Sequence, residues 1–278
     1  MGRRTGNKLT KGFFNLILII FSFTCIFPII WIFYSSFKTQ SEFMQSSTAL
    51  PEAFNLKNYV SVFTQTNILQ YILNSLRNTV LSVAIIVIVS FLAGYVLARY
   101  GFKGRAVIYN YFIMGMLIPI HALLVPMYVQ FQQNSLTNHW YTLLFPYVAF
   151  GLPISIMLIE SYISTIPREL EEAAAIDGCG FFGTIFRIVF PLAGPILATV
   201  AIIQFFAVWN EFSFALILVS KDTLRTVPVG LTMFKAAYTV DYPRLMAGIL
   251  VTMFPVMVLY FVFSKRIIEG MVAGAVKG

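Results

Sequence analysis

Side chains able to do acid–base, redox or metal chemistry are few in this sequence. Its 278 residues include 11 Asp plus Glu, two His and two Cys. Cys25 lies in an apolar run and Cys179 in a polar segment, and this number of His and Cys is too small for a multi-ligand zinc site or a disulfide framework. No group of His, Asp and Glu stands at the spacing of metal ligands or of an acid–base pair. The sequence therefore argues against an enzyme.

Charged groups are concentrated in the segment from Tyr162 to Gly194. It carries four acidic and two basic residues, namely Glu169, Glu171, Glu172, Asp177, Arg168 and Arg187. Carboxylates of this kind form strong charge-assisted bonds with Arg or Lys. The chemistry that this segment offers is recognition of a basic surface.

Start and stop signals predict two short helices in this segment. Pro167 suits the first turn of a helix, and the glutamates that follow it are favoured there by the helix dipole. Three alanines, 173–175, continue this helix until Gly178 ends it. A second helix fits residues 181–190 and ends at Pro191, with Gly194 and Pro195 as a hinge. The prediction is a helix-turn-helix.

The composition identifies the surroundings of this segment. Hydrophobic residues make up 59% of the chain and charged residues 11%, against about 45–50% and about 25% in soluble domains. The net charge of +8 is scattered in short clusters and forms no basic face with aromatics. A soluble globule and a nucleic-acid-binding protein are excluded, and a membrane protein is expected.

Apolar stretches long enough to cross a bilayer occur six times. A spanning helix needs about 20 apolar residues. We predict helices near 13–35, 74–98, 106–130, 140–161, 195–219 and 244–264, with a polar turn at 132–139 between the third and fourth. The first lies in 26 residues between Lys11 and Lys38 without an Ala-x-Ala site, so it is interpreted as a retained helix and not as a signal peptide.

The distribution of basic residues predicts the orientation. With six spans both termini lie on one side, and placing them in the cytoplasm puts 12 of the 19 Lys and Arg inside and seven outside. The positive-inside rule favours this arrangement. The acidic segment is then cytoplasmic.

The acidic segment contains a spaced motif. Glu172-Ala173-Ala174 is followed after three residues by Gly178, and after nine more by Ile188-Val189-Phe190-Pro191. This closely resembles the EAA signature of the membrane-spanning permease subunits of binding-protein-dependent ABC importers, which reads Glu-Ala-Ala, three residues, Gly, nine residues, Ile-x-Leu-Pro. The chain departs once, with Phe190 in place of Leu.

Other motifs are similar to those of maltose-type sugar permeases in this family: Phe27-Pro28, Trp31, Ser36-Phe37-Lys38, Pro51, Leu56-Lys57-Asn58-Tyr59, Asn74-Ser75-Leu76, Ile166-Pro167 and Trp209-Asn210-Glu211-Phe212. The resemblance implies an all-α integral membrane protein with six transmembrane helices and the type I importer permease fold. Residues 1–70 are then the N-terminal tail, first helix and external connection. Residues 71–268 are the five-helix transmembrane domain with its cytoplasmic coupling loop at 162–194, and residues 269–278 are the C-terminal tail.

The resemblance also implies that the acidic segment docks on an ATPase. The residues expected to take part are Glu171, Glu172, Ala173, Ala174, Asp177, Gly178, Ile188 and Pro191. Alanines permit close approach, and glycine lets the chain reverse. The sequence has no Gly-x-x-x-x-Gly-Lys-Ser/Thr motif and no Gly-Lys pair, so this chain supplies no ATP site of that kind. We expect no cofactor on this chain, with ATP and Mg bound by the partner ATPase.

The function implied is passage of a sugar or oligosaccharide from an external binding protein to the cytoplasm by alternating access. The chain is expected to be a translocation subunit and not an enzyme. Its expected partners are a second homologous permease, an ATPase dimer, the solute-binding protein, the sugar and the lipid bilayer, without nucleic acid. The expected location is a bacterial or archaeal cytoplasmic membrane.

Candidate solute contacts lie in the fifth span at Trp209, Asn210 and Glu211. Glu211 stands ten residues before Lys221, about 15 Å from that end of a continuous helix, and a carboxylate at such depth is costly. An aromatic face with amide and carboxylate groups suits a polyhydroxylated solute. The alternative is a hydrogen bond to the second permease. We interpret His121 as structural and Arg77 as an interfacial residue.

Two alternative functions stay open on the sequence alone. The chain could import a solute other than sugar through the same kind of complex. An ion-coupled secondary carrier would show inverted repeats and paired intramembrane charges, which the sequence lacks.

Overall fold

The computed structural model describes the backbone of residues 3–234 and 240–275 and the side chains of residues 11–234 and 240–261. Every regular element longer than one residue in these ranges is a helix, which confirms the predicted all-α class. The chain divides into two compact units, Met1–Ile68 with Leu231–Phe254 and Leu69–Gly230 with Pro255–Gly278.

The α-helices of the described residues, in chain order, are α1 (Arg3–Ser35), α2 (Gln40–Gln45), α3 (Lys57–Gln65), α4 (Ile68–Arg99), α5 (Arg105–Gly115), α6 (Ile120–Gln133), α7 (Leu144–Ile163), α8 (Glu169–Ile176), α9 (Phe181–Gly183), α10 (Phe190–Leu192), α11 (Gly194–Trp209), α12 (Ser213–Leu218), α13 (Val227–Gly230) and α14 (Tyr242–Ala275). A π-helix, Thr184–Val189, joins α9 to α10. Short 3₁₀-helices cover Asp222–Leu224 and Leu231–Phe234.

Membrane-spanning length and apolarity are found in four helices: Lys11–Ser35 within α1, α4, α7, and Tyr242–Phe261 within α14. They correspond to the predicted first, second, fourth and sixth spans. Two bent pairs, α5 with α6 and Phe181–Leu192 with α11, raise the number to six if each pair is one span.

The predicted third span is not one straight helix, and this part of the prediction is wrong. α5 and α6 meet at an angle of 96°. Pro119 lies between them as the residue before α6, and a proline disfavours helical backbone at the preceding residue and lacks an N–H. His121 is exposed at the start of α6.

The predicted fifth span, 195–219, is also interrupted. α11 ends at Trp209 and α12 begins at Ser213. The cause is local, because the Glu211 side chain accepts hydrogen bonds from the backbone N–H groups of Phe214 and Ala215. A side chain that binds the free N–H groups of a first turn starts a new helix.

In the first unit, a buried lysine holds the connection after α1. Lys38 is 1% exposed and its Nζ donates to the carbonyls of Ser46 (3.0 Å) and Ser47 (3.2 Å). The ammonium lies 5.4 Å from the ring centroid of Tyr34, where the cation is favoured by the π-face. Burial lowers the pKa of Lys38, and the Glu42 carboxylate opposes that shift.

The second unit is built on two clusters of buried side chains. One joins α4, α7, the π-helix and α11 through Phe91, Tyr95, Ile159, Ile163, Ile185, Val189, Ala193, Leu197 and Val200. The other joins α7, α11 and α12 with the residues after them, through Leu143, Tyr147, Val208, Phe214, Ala215, Leu218, Val219 and Val229. These clusters position the two candidate sites, because the acidic segment lies on the first and Glu211 lies beside the second.

α4 and α7 approach closely at Gly94. A Cβ at this position would lie 2.9 Å from Ile159 Cγ2 and 3.1 Å from the backbone nitrogen of Glu160. The glycine therefore allows α4 to pack on the backbone of α7.

Candidate functional site

The first short helix of the acidic segment forms where it was predicted. α8 spans Glu169–Ile176, with Glu169, Glu171 and Glu172 in its first turn. Gly178 follows in the left-handed region, with φ of +80°, which glycine adopts at little cost. The chain reverses there, and the Cys179 N–H donates to the Ala174 carbonyl at 2.9 Å.

One face of α8 is free in this chain. Glu172, Ala173 and Asp177 are exposed, and Ile176 is 87% exposed. Ala174, on the opposite face, is buried. With Glu169, which is also exposed, this face thus offers three carboxylates around an apolar side chain, with an alanine that permits close approach.

Glu171 was predicted to face the partner with Glu172, but the structure places it toward α4. Its Oε1 lies 2.5 Å from Arg99 Nε, and the two side chains are 15% and 6% exposed. The angle is not that of a directed hydrogen bond, so the contact is best described as an ion pair. The Tyr95 hydroxyl donates to the other carboxylate oxygen at 2.8 Å.

Further polar contacts hold the start of this segment to the end of α4. An Arg99 Nη donates to the Ile166 carbonyl at 2.9 Å. Arg168 in turn donates to the Arg99 carbonyl at 3.3 Å. Arg99 is thus fixed to the residues before α8 as well as to α8 itself.

The second helical stretch of the segment is continuous from α9 through the π-helix to α10. It extends to Leu192, slightly past the predicted end, and meets α11 at 72°. Ile185 and Val189 are buried in the first cluster. Ile188 is half-buried and Pro191 is exposed, so of these two only Pro191 is fully accessible.

The three candidate solute contacts have different surroundings. Trp209 is 4% exposed and stacks on the Phe205 ring with centroids 5.7 Å apart. Asn210 is exposed, and its Nδ2 donates to the Phe206 carbonyl at 2.9 Å. Glu211 is half-buried. The three side chains do not lie on one surface. This agrees with their successive positions, because neighbouring residues of a helix point in different directions.

Glu211 has its hydrogen-bond partners within its own chain. Oε1 accepts from the Phe214 N–H at 2.7 Å, and Oε2 accepts from the Ala215 N–H at 3.2 Å and from the Tyr147 hydroxyl at 3.0 Å. The carboxylate therefore begins α12 and ties it to α7. The partners predicted from the sequence were a solute or a second chain, and a role in starting α12 was not predicted.

Several residues of these sites were missed from sequence. No role for Arg99, Tyr95 or Tyr147 was predicted from the sequence. Gln204, inside α11, donates to the Gly151 carbonyl and to Ser155 Oγ, each at 3.0 Å. A polar residue inside an apolar run is a usable signal for Gln204, whereas nothing in the sequence distinguishes Arg99 from other residues at span ends.

Arg77 lies in α4 and is half-buried. An Nη donates to the Trp140 carbonyl at 3.4 Å, and its guanidinium carbon lies 5.8 Å from the Trp140 ring centroid. The contact with Trp140 explains the position of the Arg77 side chain without a bound solute.

The chemistry of the acidic segment is binding rather than catalysis. It presents an exposed acidic and apolar face on one side and a buried ion pair to a long helix on the other. The ion pair joins the segment that carries the exposed face to α4.

Comparison with known proteins agrees with this arrangement. The family described as binding-protein-dependent transport system inner membrane component matches residues 90–268. A sulfoquinovosyl glycerol transport system permease protein of Agrobacterium fabrum is 36% identical over 91% of this chain and 89% of its own. A trehalose/maltose transport system permease protein of Thermococcus litoralis is 34% identical over 94% of each.

The fold is also found in a solved structure. A bacterial ABC transporter involved in the import of the acidic polysaccharide alginate superposes with a TM-score of 0.84 at 21% identity, over 95% of this chain and 98% of that chain. At this identity the likeness concerns the fold.

Proposed function

The chain belongs to the family of binding-protein-dependent transport system inner membrane components, and from that premise we propose that it is the membrane-spanning subunit of an ATP-driven importer for a sugar or oligosaccharide. The observation that carries the proposal is α8, whose exposed acidic and apolar face stands on a buried ion pair to α4. A secondary carrier has no ATPase subunit that such a face could bind. The family match also gives that alternative no support.

The solute class is proposed from the relatives. Two proteins more than 30% identical over most of this chain carry the names of a sulfoquinovosyl glycerol and a trehalose/maltose transport system. A carbohydrate is the chemistry that these solutes share.

The ATPase contact is assigned to the exposed part of the acidic segment. Glu172 and Asp177 supply charge for Arg or Lys of the ATPase, Ala173 permits close approach, and Gly178 turns the chain. The other predicted residues, Ala174, Ile188 and Pro191, help to hold that surface in place. ATP and Mg are bound by a dimer of ATPase chains, and this chain binds no cofactor.

The remaining partners follow from the family. A second homologous permease completes the pathway, and an external binding protein delivers the solute. The chain is a multi-pass protein of a bacterial or archaeal cytoplasmic membrane, with both termini in the cytoplasm. Asn210 is the exposed member of the predicted solute contacts.

Affinity purification in mild detergent tests the proposal. The tagged chain, expressed with the products of its neighbouring genes, should retain a second permease and two ATPase chains, and the complex should import sugar in liposomes with ATP and the binding protein. A transport-competent homodimer without ATPase would contradict it.

A charge reversal tests the contact surface. Glu172→Lys should abolish ATPase co-purification or uptake, because the charge at the contact is inverted. Glu52→Lys is the control, since Glu52 is an exposed carboxylate outside the acidic segment. Equal effects of the two variants would contradict the assignment of Glu172.

A further inference from the structure

α4 is fastened at both of its ends within the second unit. At one end the Arg99–Glu171 ion pair and the Tyr95 hydroxyl join it to α8. At the other end the Tyr71 hydroxyl donates to Asp222 Oδ1 at 2.7 Å. Each end of the helix is thus held to a segment that lies outside the spans.

The second attachment includes backbone contacts. Asn74 Nδ2 donates to the carbonyls of Thr223 (2.9 Å) and Arg225 (3.0 Å). Ser75 Oγ accepts the Val227 N–H at 2.8 Å. Because these bonds reach the main chain, the segment 222–230 is bound to α4 as a whole.

α4 has the length and the proline-free sequence suited to transmitting a displacement. Its 32 residues correspond to about 48 Å at the helical rise, longer than the roughly 30 Å hydrocarbon core. Among the helices of 20 or more residues in the described chain, α1, α7 and α14 contain a proline and α4 does not. Prolines are where helices bend.

We propose that α4 is a rod that carries the displacement of α8 to the segment 222–230, and that Glu171 and Arg99 are the positioning residues that join α8 to this rod. The inference rests on the proposed function, because it takes the exposed face of α8 as the ATPase contact. Beyond that function, α4, the Arg99–Glu171 ion pair and the segment 222–230 form the path of the displacement.

The ion pair suits this task better than apolar packing. Apolar side chains can slide past one another at small cost, whereas separating two buried charges leaves each without compensation. A shift of α8 away from the end of α4 is therefore opposed by the ion pair. Glu169 and Glu172, which are exposed, impose no such constraint.

The test uses the assembled complex in liposomes with its binding protein. Glu171→Gln should lower the ratio of binding-protein-stimulated to basal ATP hydrolysis about tenfold, within the usual range of coupling between sites, and lower uptake with it. Glu160→Gln is the matched control, because it breaks the Arg105–Glu160 ion pair (3.0 Å), which does not involve α8, and it should keep the wild-type ratio. Equal ratios in these two variants would overturn the proposal.

A second pair of variants separates transmission from stability. Arg99→Glu combined with Glu171→Arg should recover part of the ratio, since the pair is restored with reversed polarity. Tyr71→Phe, which touches neither α8 nor the ATPase, should lower the ratio in the same direction. A wild-type ratio in Tyr71→Phe beside a low ratio in Glu171→Gln would remove the segment 222–230 from the proposal and overturn the rod.

If Glu171→Gln prevents assembly, Tyr95→Phe takes its place, because it removes one hydrogen bond and leaves the ion pair. Its ratio should fall less than tenfold but below the control, and an unchanged ratio would overturn the proposal. The proposed function fails separately, if the wild-type complex itself shows no ATP-dependent uptake.

Discussion

A single carboxylate decides where the fifth span breaks. Glu211 takes two backbone N–H groups of α12 and the Tyr147 hydroxyl. An ionised group inside an apolar helix is costly, but the cost falls when the charge accepts three hydrogen bonds. The helix break after Trp209 and the presence of Glu211 thus explain each other, because the break frees the N–H groups that the carboxylate binds.

Replacing Glu211 tests this capping role. Glu211→Gln keeps one acceptor oxygen and should reduce the free energy of unfolding by about 1–3 kcal/mol, and Glu211→Ala should cost more because it leaves three donors without an acceptor. Tyr147→Phe, which removes one donor, should have the smallest effect. Denaturation in detergent measures the order. Wild-type stability of Glu211→Gln with altered uptake would favour direct solute contact instead.

At this scale the sequence indicates residue types but not directions. Start signals placed three glutamates in the first turn of α8, and they are there. Which of them turns inward depends on Arg99, which is 72 positions earlier than Glu171 in the chain. Local spacing carries no information on such a contact, so Glu171 and Glu172 were predicted to behave alike.

At the scale of elements, the turn after α8 depends on one backbone conformation. A Cβ at Gly178 would meet nothing within 4 Å, so the cost of Gly178→Ala comes from its φ of +80° and should be about 1–2 kcal/mol. Gly178→Asn should cost less, because asparagine tolerates this region. Uptake at matched membrane abundance should fall in the alanine variant and persist in the asparagine variant. Higher uptake by Gly178→Ala than by Gly178→Asn would show that the backbone conformation at this turn does not limit uptake.

The packing of α4 on α7 gives an element-scale prediction of a different kind. Gly94→Ala places a methyl group 3.1 Å from the backbone nitrogen of Glu160, and overpacking of this kind costs about 1–3 kcal/mol. Gly115→Ala is the control, since its nearest contact, Pro153 Cγ, is at an ordinary 3.4 Å. Thermal unfolding of the two variants in detergent should differ accordingly. Equal midpoints would contradict the close approach.

Helices could be predicted where the residues that start and stop a helix lie close together in the sequence. Pro167 and Gly178 bracket α8, as predicted. The third span contains Pro119, but its apolar run continues on both sides of that proline and so predicts one helix. Hydrophobicity reports depth in the bilayer and not straightness, which is why the 96° bend was not predicted.

At the scale of the whole molecule, orientation is the prediction to check. In a background with Cys25→Ser and Cys179→Ser, Glu52→Cys should react with a membrane-impermeant maleimide on intact cells. Lys103→Cys, between the second and third spans, should react only after permeabilisation. Both positions are exposed in the structure and lie outside the acidic segment, so the membrane alone should make the difference. Labelling of Lys103→Cys on intact cells would reverse the orientation.

The π-helix Thr184–Val189 makes the chain sensitive to length changes in this stretch. A π-helix closes its hydrogen bonds over one residue more than an α-helix. The wide turn thereby absorbs one residue more than an α-helix would hold. Loss of one residue there would restore α-helix and leave the flanking turns close to their present orientation. A one-residue insertion elsewhere between Gly178 and Ile188 would instead rotate the residues before it by about 100°. Deletion within the π-helix should therefore disturb the face of α8 less than such an insertion.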